Sequence, residues 1–165
     1  MNDYPGYILV PAYTYYLELF KSEKPIEVDF PPYYSIKEWK SIDSKEYLKH
    51  YIEIGKEWGW AKRLLMDADE LKEYLLQNGV RVFKFLHHDK IIGFAEVFRE
   101  GSTCEIVYFG FIKSYLNKGL GKPFMLSLLK DLFKTSSRIM LTTCEFDHPS
   151  ALKFYNKIGF QIYKE

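Results

Sequence analysis

The segment from Phe111 to Lys122, FIKSYLNKGLGK, runs from a strand-like stretch through a short polar turn with two glycines into the start of a helix. Backbone N–H groups in a helix's first turn have no intrahelical partner, and they point toward one spot where the helix dipole is also positive. An anion such as a pyrophosphate is the natural occupant of that spot. Gly119 and Gly121 let the backbone approach a ligand with no Cβ in the way, and Lys118 and Lys122 add positive charge. Two nucleotide motifs do not fit. The P-loop needs a glycine where Leu116 stands, and the dinucleotide fingerprint needs a third glycine where Phe124 stands. Alone, a G-x-G at a helix start is also explained by a plain turn.

A second segment, Asp147 to Phe160, reads DHPSALKFYNKIGF. Here the sequence resembles the GNAT superfamily of N-acetyltransferases, whose last signature stretch runs N-x-x-A-x-x-x-Y-x-x-x-G-F. His148 stands in the Asn position, and Ala151, Tyr155, Gly159 and Phe160 match in register. The superfamily's acetyl-CoA motif, Q/R-x-x-G-x-G/A, falls on Leu116 to Gly121 with both glycines kept and Leu116 in place of Gln or Arg. The gap between the two segments has room for one helix and one strand, as the superfamily requires. A narrower likeness joins Trp58-Gly59-Trp60 upstream of Arg63, YFGF at Tyr108 to Phe111, and TTCEFDHPSAL at Thr142 to Leu152. These look like a bacterial GNAT subgroup with W-G-W-x-x-R and T-C-x-x-D-H-P-x-A-L motifs.

The resemblance implies direct transfer of acetyl from acetyl-CoA to a primary amine of a small molecule or peptide. It places the coenzyme against Phe111, Ile112 and the run Leu116, Asn117, Lys118, Gly119, Leu120, Gly121 and Lys122. Backbone N–H groups carry most of the phosphate binding in the family, so Leu116 should weaken rather than abolish it. Beyond Tyr108 the strand should splay, offering the main chain of Phe111 and Ile112 to the pantetheine arm, with Gly110 at a bulge. The alternative for Gly110 is relief of crowding in a core strand. Tyr155 occupies the position of the thiol-protonating tyrosine, and its phenol, with a pKa of about 10, is protonated at neutral pH. It could instead be an aromatic packing beside Leu152. Glu105 is the candidate general base. Strand alternation puts it on the face of Val107, Phe109 and Phe111, where burial would raise its pKa; the alternative is a solvated strand-end carboxylate. Trp58, Trp60 and Arg63 belong to the acceptor side by the same resemblance, unless a Trp is simply core. Asp147 could touch the acceptor, and His148 could do so or act as a helix N-cap.

These groups must be positioned by the rest of the chain. Tyr13 to Phe20 alternates in a β-rich composition and predicts a strand, and Pro25, Pro31 and Pro32 mark a loop. Asp43 with Glu46 has capping-box spacing and opens a helix with Leu48, Tyr51, Ile52 and Gly55 on one side. Asp67 with Glu70 opens another, which Gly79 stops. Arg81 to Leu86, Ile91 to Phe98 and Ser102 to Ile112 read as an antiparallel meander broken at His88-Asp89-Lys90 and Glu100-Gly101. After Gly121 comes an amphipathic helix with Met125, Leu128, Leu129 and Leu132 on one face. Arg138 to Phe146 predicts a strand, His148-Pro149 starts a helix with proline at its first position, and Phe160 to Tyr163 is a last short strand. The order β-α-α-β-β-β-α-β-α-β is an α/β (α+β) mixture. With the resemblance it implies a GNAT fold: a mixed, mostly antiparallel sheet of six to seven strands, splayed in the middle, with about four helices on its two faces. Residues 1–165 form one domain in this reading, 1–80 on the acceptor side and 81–165 binding the coenzyme.

Composition narrows the function classes. With 47% hydrophobic residues, 14 Tyr, 13 Phe and 3 Trp, the chain has the apolar surface to fold, which excludes disorder. No apolar run approaches ~18 residues, so no membrane partner is expected. Met1 to Pro5 shows no basic start to a secretory signal, and the expected compartment is the cytoplasm. A net charge of +1, with 19 Lys to 4 Arg scattered among acids, argues against nucleic acid. Cys104 and Cys144 are too few for a zinc site, and His87 and His88 lack a matching ligand cluster, so no metal is expected. A monomer or homodimer is expected. Two other functions stay open: a non-catalytic acyl-CoA-binding sensor, and transfer of a longer acyl group.

Overall fold

The computed structural model describes residues 11–165, so the reading of Met1 to Pro5 lies outside it. In chain order the elements are β1 (Thr14–Phe20), β2 (Tyr34–Glu38), α1 (Ser44–Gly55), α2 (Ala68–Leu75), β3 (Val80–His87), β4 (Lys90–Glu100), β5 (Thr103–Phe111), α3 (Gly121–Leu132), β6 (Arg138–Cys144), α4 (Ala151–Ile158) and β7 (Gln161–Lys164). Short 3-10 segments cover Lys56–Trp58, Lys62–Leu65 and Lys113–Tyr115. The strands form one sheet in the order β2-β3-β4-β5-β6-β1-β7. Every neighbouring pair is antiparallel except β5 with β6. The expected mixed sheet with four helices is therefore present, with β2 added. Its sequence YSIKE is short and charged, as suits a strand at the sheet's edge, and gives little alternation to read.

Both helices before β3 start where their caps predict. Asp43 accepts from the amides of Lys45 and Glu46, and Asp67 and Glu70 complete a reciprocal capping box. The buried stripe of α1, however, is Tyr47, Tyr51, Ile54 and Gly55, while Ile52 is exposed. Tyr47 and Ile54 thus replace Leu48 and Ile52 in the stripe, and Tyr47 donates its hydroxyl hydrogen to Glu96 in the core. Helix α2 ends at Leu75 rather than at Gly79, which instead has φ 97° in the turn into β3.

The sheet separates two helix layers. Tyr47 of α1 packs against Phe94 on one face, and Phe124 of α3 packs against Phe85 and Phe111 on the other. Pairing of β5 with β6 covers only Thr103–Ile106 against Arg138–Leu141, and the strands part beyond it. The break coincides with a bulge. Glu96 lies opposite Tyr108 but Val97 opposite Ile106, so Val107 is the extra residue. A bulge reverses the alternation of a strand. Glu105 therefore shares a face with Tyr108 and Gly110, not with Phe109 and Phe111, and it is exposed rather than buried. Gly110 is regularly paired with Phe94 and is not at the bulge. A Cβ there would sit 2.7 Å from Ile54 and 3.1 Å from Trp60, so this glycine admits close packing. Among the described residues no helix is long and apolar enough to cross a membrane.

Candidate functional site

Where β5 and β6 part, a cleft of about 1260 Å³ opens. Its walls are β5 from Ile106 to Phe111, β6 from Leu141 to Cys144, the turn before α3, the start of α4, and the segment between α1 and α2. The separated strands leave main-chain groups on facing edges. Ile112 is not among them: its N–H donates to the Ile92 carbonyl (2.8 Å), its carbonyl accepts from Tyr115, and it does not line the cleft. By the alternation of an antiparallel ladder, the main chain of Phe109 and Phe111 points into the gap instead. Of the expected pair, Phe111 lies on the open edge and Ile112 does not, while Phe109 joins Phe111 there.

The turn entering α3 forms one end of the cleft, with Leu116, Asn117, Lys118, Gly119, Leu120, Gly121 and Lys122 all on its wall. Asn117 (φ 58°) and Gly119 (φ 72°) take left-handed backbone conformations, which Asn and Gly tolerate best. The first turn of α3 has no side-chain cap, and the amides of residues 117–122 find no backbone acceptor among the described residues. These six N–H groups lie beside the positive end of α3, on one end of the cleft. Gly121 also leaves room for a neighbouring ring. A Cβ on it would lie 3.1 Å from the ring of Phe154, which closes the turn from the α4 side.

Tyr155 lies on the cleft wall, half-buried, with its ring between those of Phe154 and Phe160. Its hydroxyl has no protein hydrogen-bond partner among the described residues. Burial pushes the phenol above its ordinary pKa, and the Asp147 carboxylate acts in the same direction. The group therefore holds its proton at neutral pH and can donate it. Asp147 is largely occupied: one of its oxygens accepts from the Thr143 hydroxyl (2.7 Å) and the Cys144 amide (3.0 Å). It shapes the turn that leads from β6 to α4. His148 is not the N-cap; Ser150 holds that position, and Pro149 precedes it. The Ser150 amide donates to Nδ1 of His148 (3.2 Å), so the neutral ring carries its hydrogen on Nε2.

At the other end stand Trp58 and Trp60. Trp58 is at the rim, its ring 5.4 Å from that of His148. Trp60 goes deeper, against Tyr51, Phe94 and Tyr108, and it fits because Gly55 and Gly110 have no side chains. Arg63, expected on the acceptor side, is not on the cleft wall. It is buried and pairs with the fully buried Glu96 at 2.5 Å. Tyr74 donates to Glu96 as well (2.6 Å), the Arg63 guanidinium lies 3.9 Å from the Tyr74 ring centre, and Tyr51 links the Arg63 amide to the Tyr108 hydroxyl. Burial works against the charge on Arg63, but the hydrogen bond and attraction to Glu96 outweigh it and raise its pKa. Glu96 escaped the sequence reading. The available signal was a lone carboxylate inside the apolar run IIGFAEVF, which demands a cationic partner. Glu105, like Arg63, is absent from the cleft wall.

Comparisons with known proteins agree with this fold. A model of the acetyltransferase (GNAT) family matches residues 36–160. A GCN5-related N-acetyltransferase from Sphaerobacter thermophilus superposes with a TM-score of 0.71 at 9% identity, covering 90% of this chain and 48% of that one. A tandem GNAT protein from the clavulanic acid biosynthesis pathway gives 0.66 at 17% identity, covering 93% and 51%. This chain thus spans about half the length of those two proteins. An aminoglycoside acetyltransferase from an uncultured soil metagenomic sample gives 0.63 at 16% identity, covering 77% and 88%. No curated protein matches the sequence.

Proposed function

The chain belongs to the acetyltransferase (GNAT) family, and from that premise we propose that it is an N-acetyltransferase moving acetyl from acetyl-CoA directly onto a primary amine of a small molecule or peptide. One observation carries this reading. A single cleft joins an uncapped, glycine-bearing helix start to a tyrosine hydroxyl that has no protein partner among the described residues. The amides of 117–122, with Lys118 and Lys122, would meet the charge of the donor's pyrophosphate. The free main chain of Phe109 and Phe111 offers strand-like pairing to the pantetheine amides.

The reaction is a deprotonation, an addition and a collapse. The acceptor ammonium gives one proton to water, and the neutral amine's lone pair forms the C–N bond as the carbonyl electrons move onto oxygen. Collapse of that adduct breaks the C–S bond. The sulfur takes a proton from Tyr155, which regains one from the new amide nitrogen, so the products are the amide, the free thiol and the proton first released. A thiol has a pKa of roughly 8.5, so the thiolate is a moderate leaving group and the phenol's help accelerates rather than permits the step. In this reading water takes the first proton. Glu105 lies outside the cleft, an oxygen of Asp147 already accepts two hydrogen bonds, and Nδ1 of His148 is held by Ser150.

The pH profile follows. kcat/KM rises with pH in step with the acceptor's own deprotonation. Because the Tyr155 pKa is raised above 10 by burial, loss of its proton produces no falling limb below about pH 10. Tyr155→Phe is the direct test: kcat falls by about 10- to 1,000-fold with little change in acetyl-CoA affinity. A wild-type rate in that variant removes Tyr155 from the mechanism. A wild-type protein that binds acetyl-CoA in a calorimeter yet releases no thiol with any amine is a sensor rather than an enzyme.

A further inference from the structure

The acceptor half of the cleft has a definite chemical character. Its wall is built by Trp58, Trp60, Leu64, Leu65, Tyr108 and Phe146. Leu64, Leu65 and Phe146 keep 38%, 37% and 47% of their surface exposed, although each is an apolar side chain that would be covered if the fold offered a neighbour. Trp58 stands at the rim against His148, and Trp60 and Tyr108 form the floor with ring centres 4.6 Å apart. Aromatic faces and branched aliphatic side chains gathered around one opening favour an apolar body of similar size.

The charges around that opening point the same way. Lys56 and Lys62 line it, and Asp147 is the one acid on the cleft wall among the described residues. One of its oxygens is already taken by Thr143 and Cys144. Acids beside the wall have other partners: Glu57 pairs with Lys113 at 2.9 Å, Glu96 with Arg63 in the core, and one Glu145 oxygen accepts from the Tyr13 amide (3.1 Å). A polycationic acceptor needs several free carboxylates to replace the water it loses, and two lysines at the mouth repel it. A single ammonium can be met by Asp147 and by the electron-rich face of Trp58.

Resting on the N-acetyltransferase reading above, we propose that the acceptor is a monoamine whose amine sits on an aromatic or branched apolar body, and that polycations such as aminoglycosides and polyamines are excluded. The aminoglycoside acetyltransferase that shares the fold would then differ from this chain in the wall opposite the coenzyme.

The test compares acceptors in a thiol-release assay with acetyl-CoA: 2-phenylethylamine, tyramine and 3-methylbutylamine against kanamycin and spermidine. The expected result is a kcat/KM for 2-phenylethylamine at least tenfold above those for kanamycin and spermidine. Trp58→Ala should raise the KM for 2-phenylethylamine about tenfold and leave the KM for acetyl-CoA unchanged. Preference for kanamycin or spermidine would overturn the inference while leaving the N-acetyltransferase reading intact. An unchanged 2-phenylethylamine KM in Trp58→Ala would overturn the placement of the apolar body. Thiol release with none of these amines, in a protein that binds acetyl-CoA, would overturn this inference; only silence with every other amine and peptide tried would overturn the enzymatic reading as well.

Discussion

The cluster around Glu96 and the turn from Asn117 to Lys122 treat polar groups in opposite ways. Around Glu96 the polar groups turn to one another: the carboxylate takes hydrogen bonds from Tyr47, Tyr74 and Arg63, and Arg63 and Glu96 are both buried. Around Gly119 the amides have no partner among the described residues, and two residues hold left-handed backbone conformations. A satisfied network stabilises and positions; an unsatisfied row of donors at a surface is a place for a ligand. Both regions flank the same cleft, so they divide its work. The first fixes the segment between α1 and α2 that carries Trp58 and Trp60, and the second receives charge.

The largest test of that division is Arg63→Met. It leaves the Glu96 carboxylate buried and unpaired, and removal of one partner from such a pair costs about 3–5 kcal/mol. Urea unfolding should show that loss, while the acetyl-CoA affinity of the folded protein stays near wild type. Replacing both partners, Arg63→Met with Glu96→Leu, should recover most of the stability, because the cost lies in the orphaned charge. If Arg63→Met instead weakened coenzyme binding with little loss of stability, the two regions would not be separate.

Gly121→Val should behave in the reverse manner. Its side chain enters the space beside Phe154, where a Cβ already meets the ring at 3.1 Å, and it narrows the turn that presents the amides. Acetyl-CoA affinity should fall about tenfold, roughly 1.4 kcal/mol, with overpacking costing about 1–3 kcal/mol of stability. Calorimetry separates the two effects. Unchanged acetyl-CoA affinity would mean that the turn is not the phosphate site.

This contrast also explains what the sequence reveals. The turn announces itself because glycine spacing at a helix start is a local pattern, and the strand, helix and capping signals around it are local too. Asp43 and Asp67 fixed the starts of α1 and α2 to the residue. Arg63 with Glu96 is the opposite case. The two residues lie 33 positions apart and meet only through the packing of α1 and α2 on the sheet, so Arg63 alone, next to the W-G-W stretch, suggested the acceptor. The β2 strand and the altered stripe of α1 were hidden for the same reason: a neighbour on another element decides them.

Glu105 shows how much one unpaired residue can change, and it carries the smallest expected effect. Period-two alternation counted back from Phe111 puts it on an apolar face, but the count is valid only in a strand without insertions. The bulge at Val107 moves Glu105 to the face of Tyr108 and out to solvent, beyond the end of the cleft wall. The same bulge falls where β5 leaves β6, so the feature that opens the cleft also removes this carboxylate from it. Glu105→Gln should therefore shift stability by no more than about 0.5 kcal/mol and leave the dependence of kcat/KM on pH unchanged. A rising limb displaced by that substitution would mean that Glu105 reaches the acceptor nitrogen through water, and that solvent is not the only proton acceptor in the reaction.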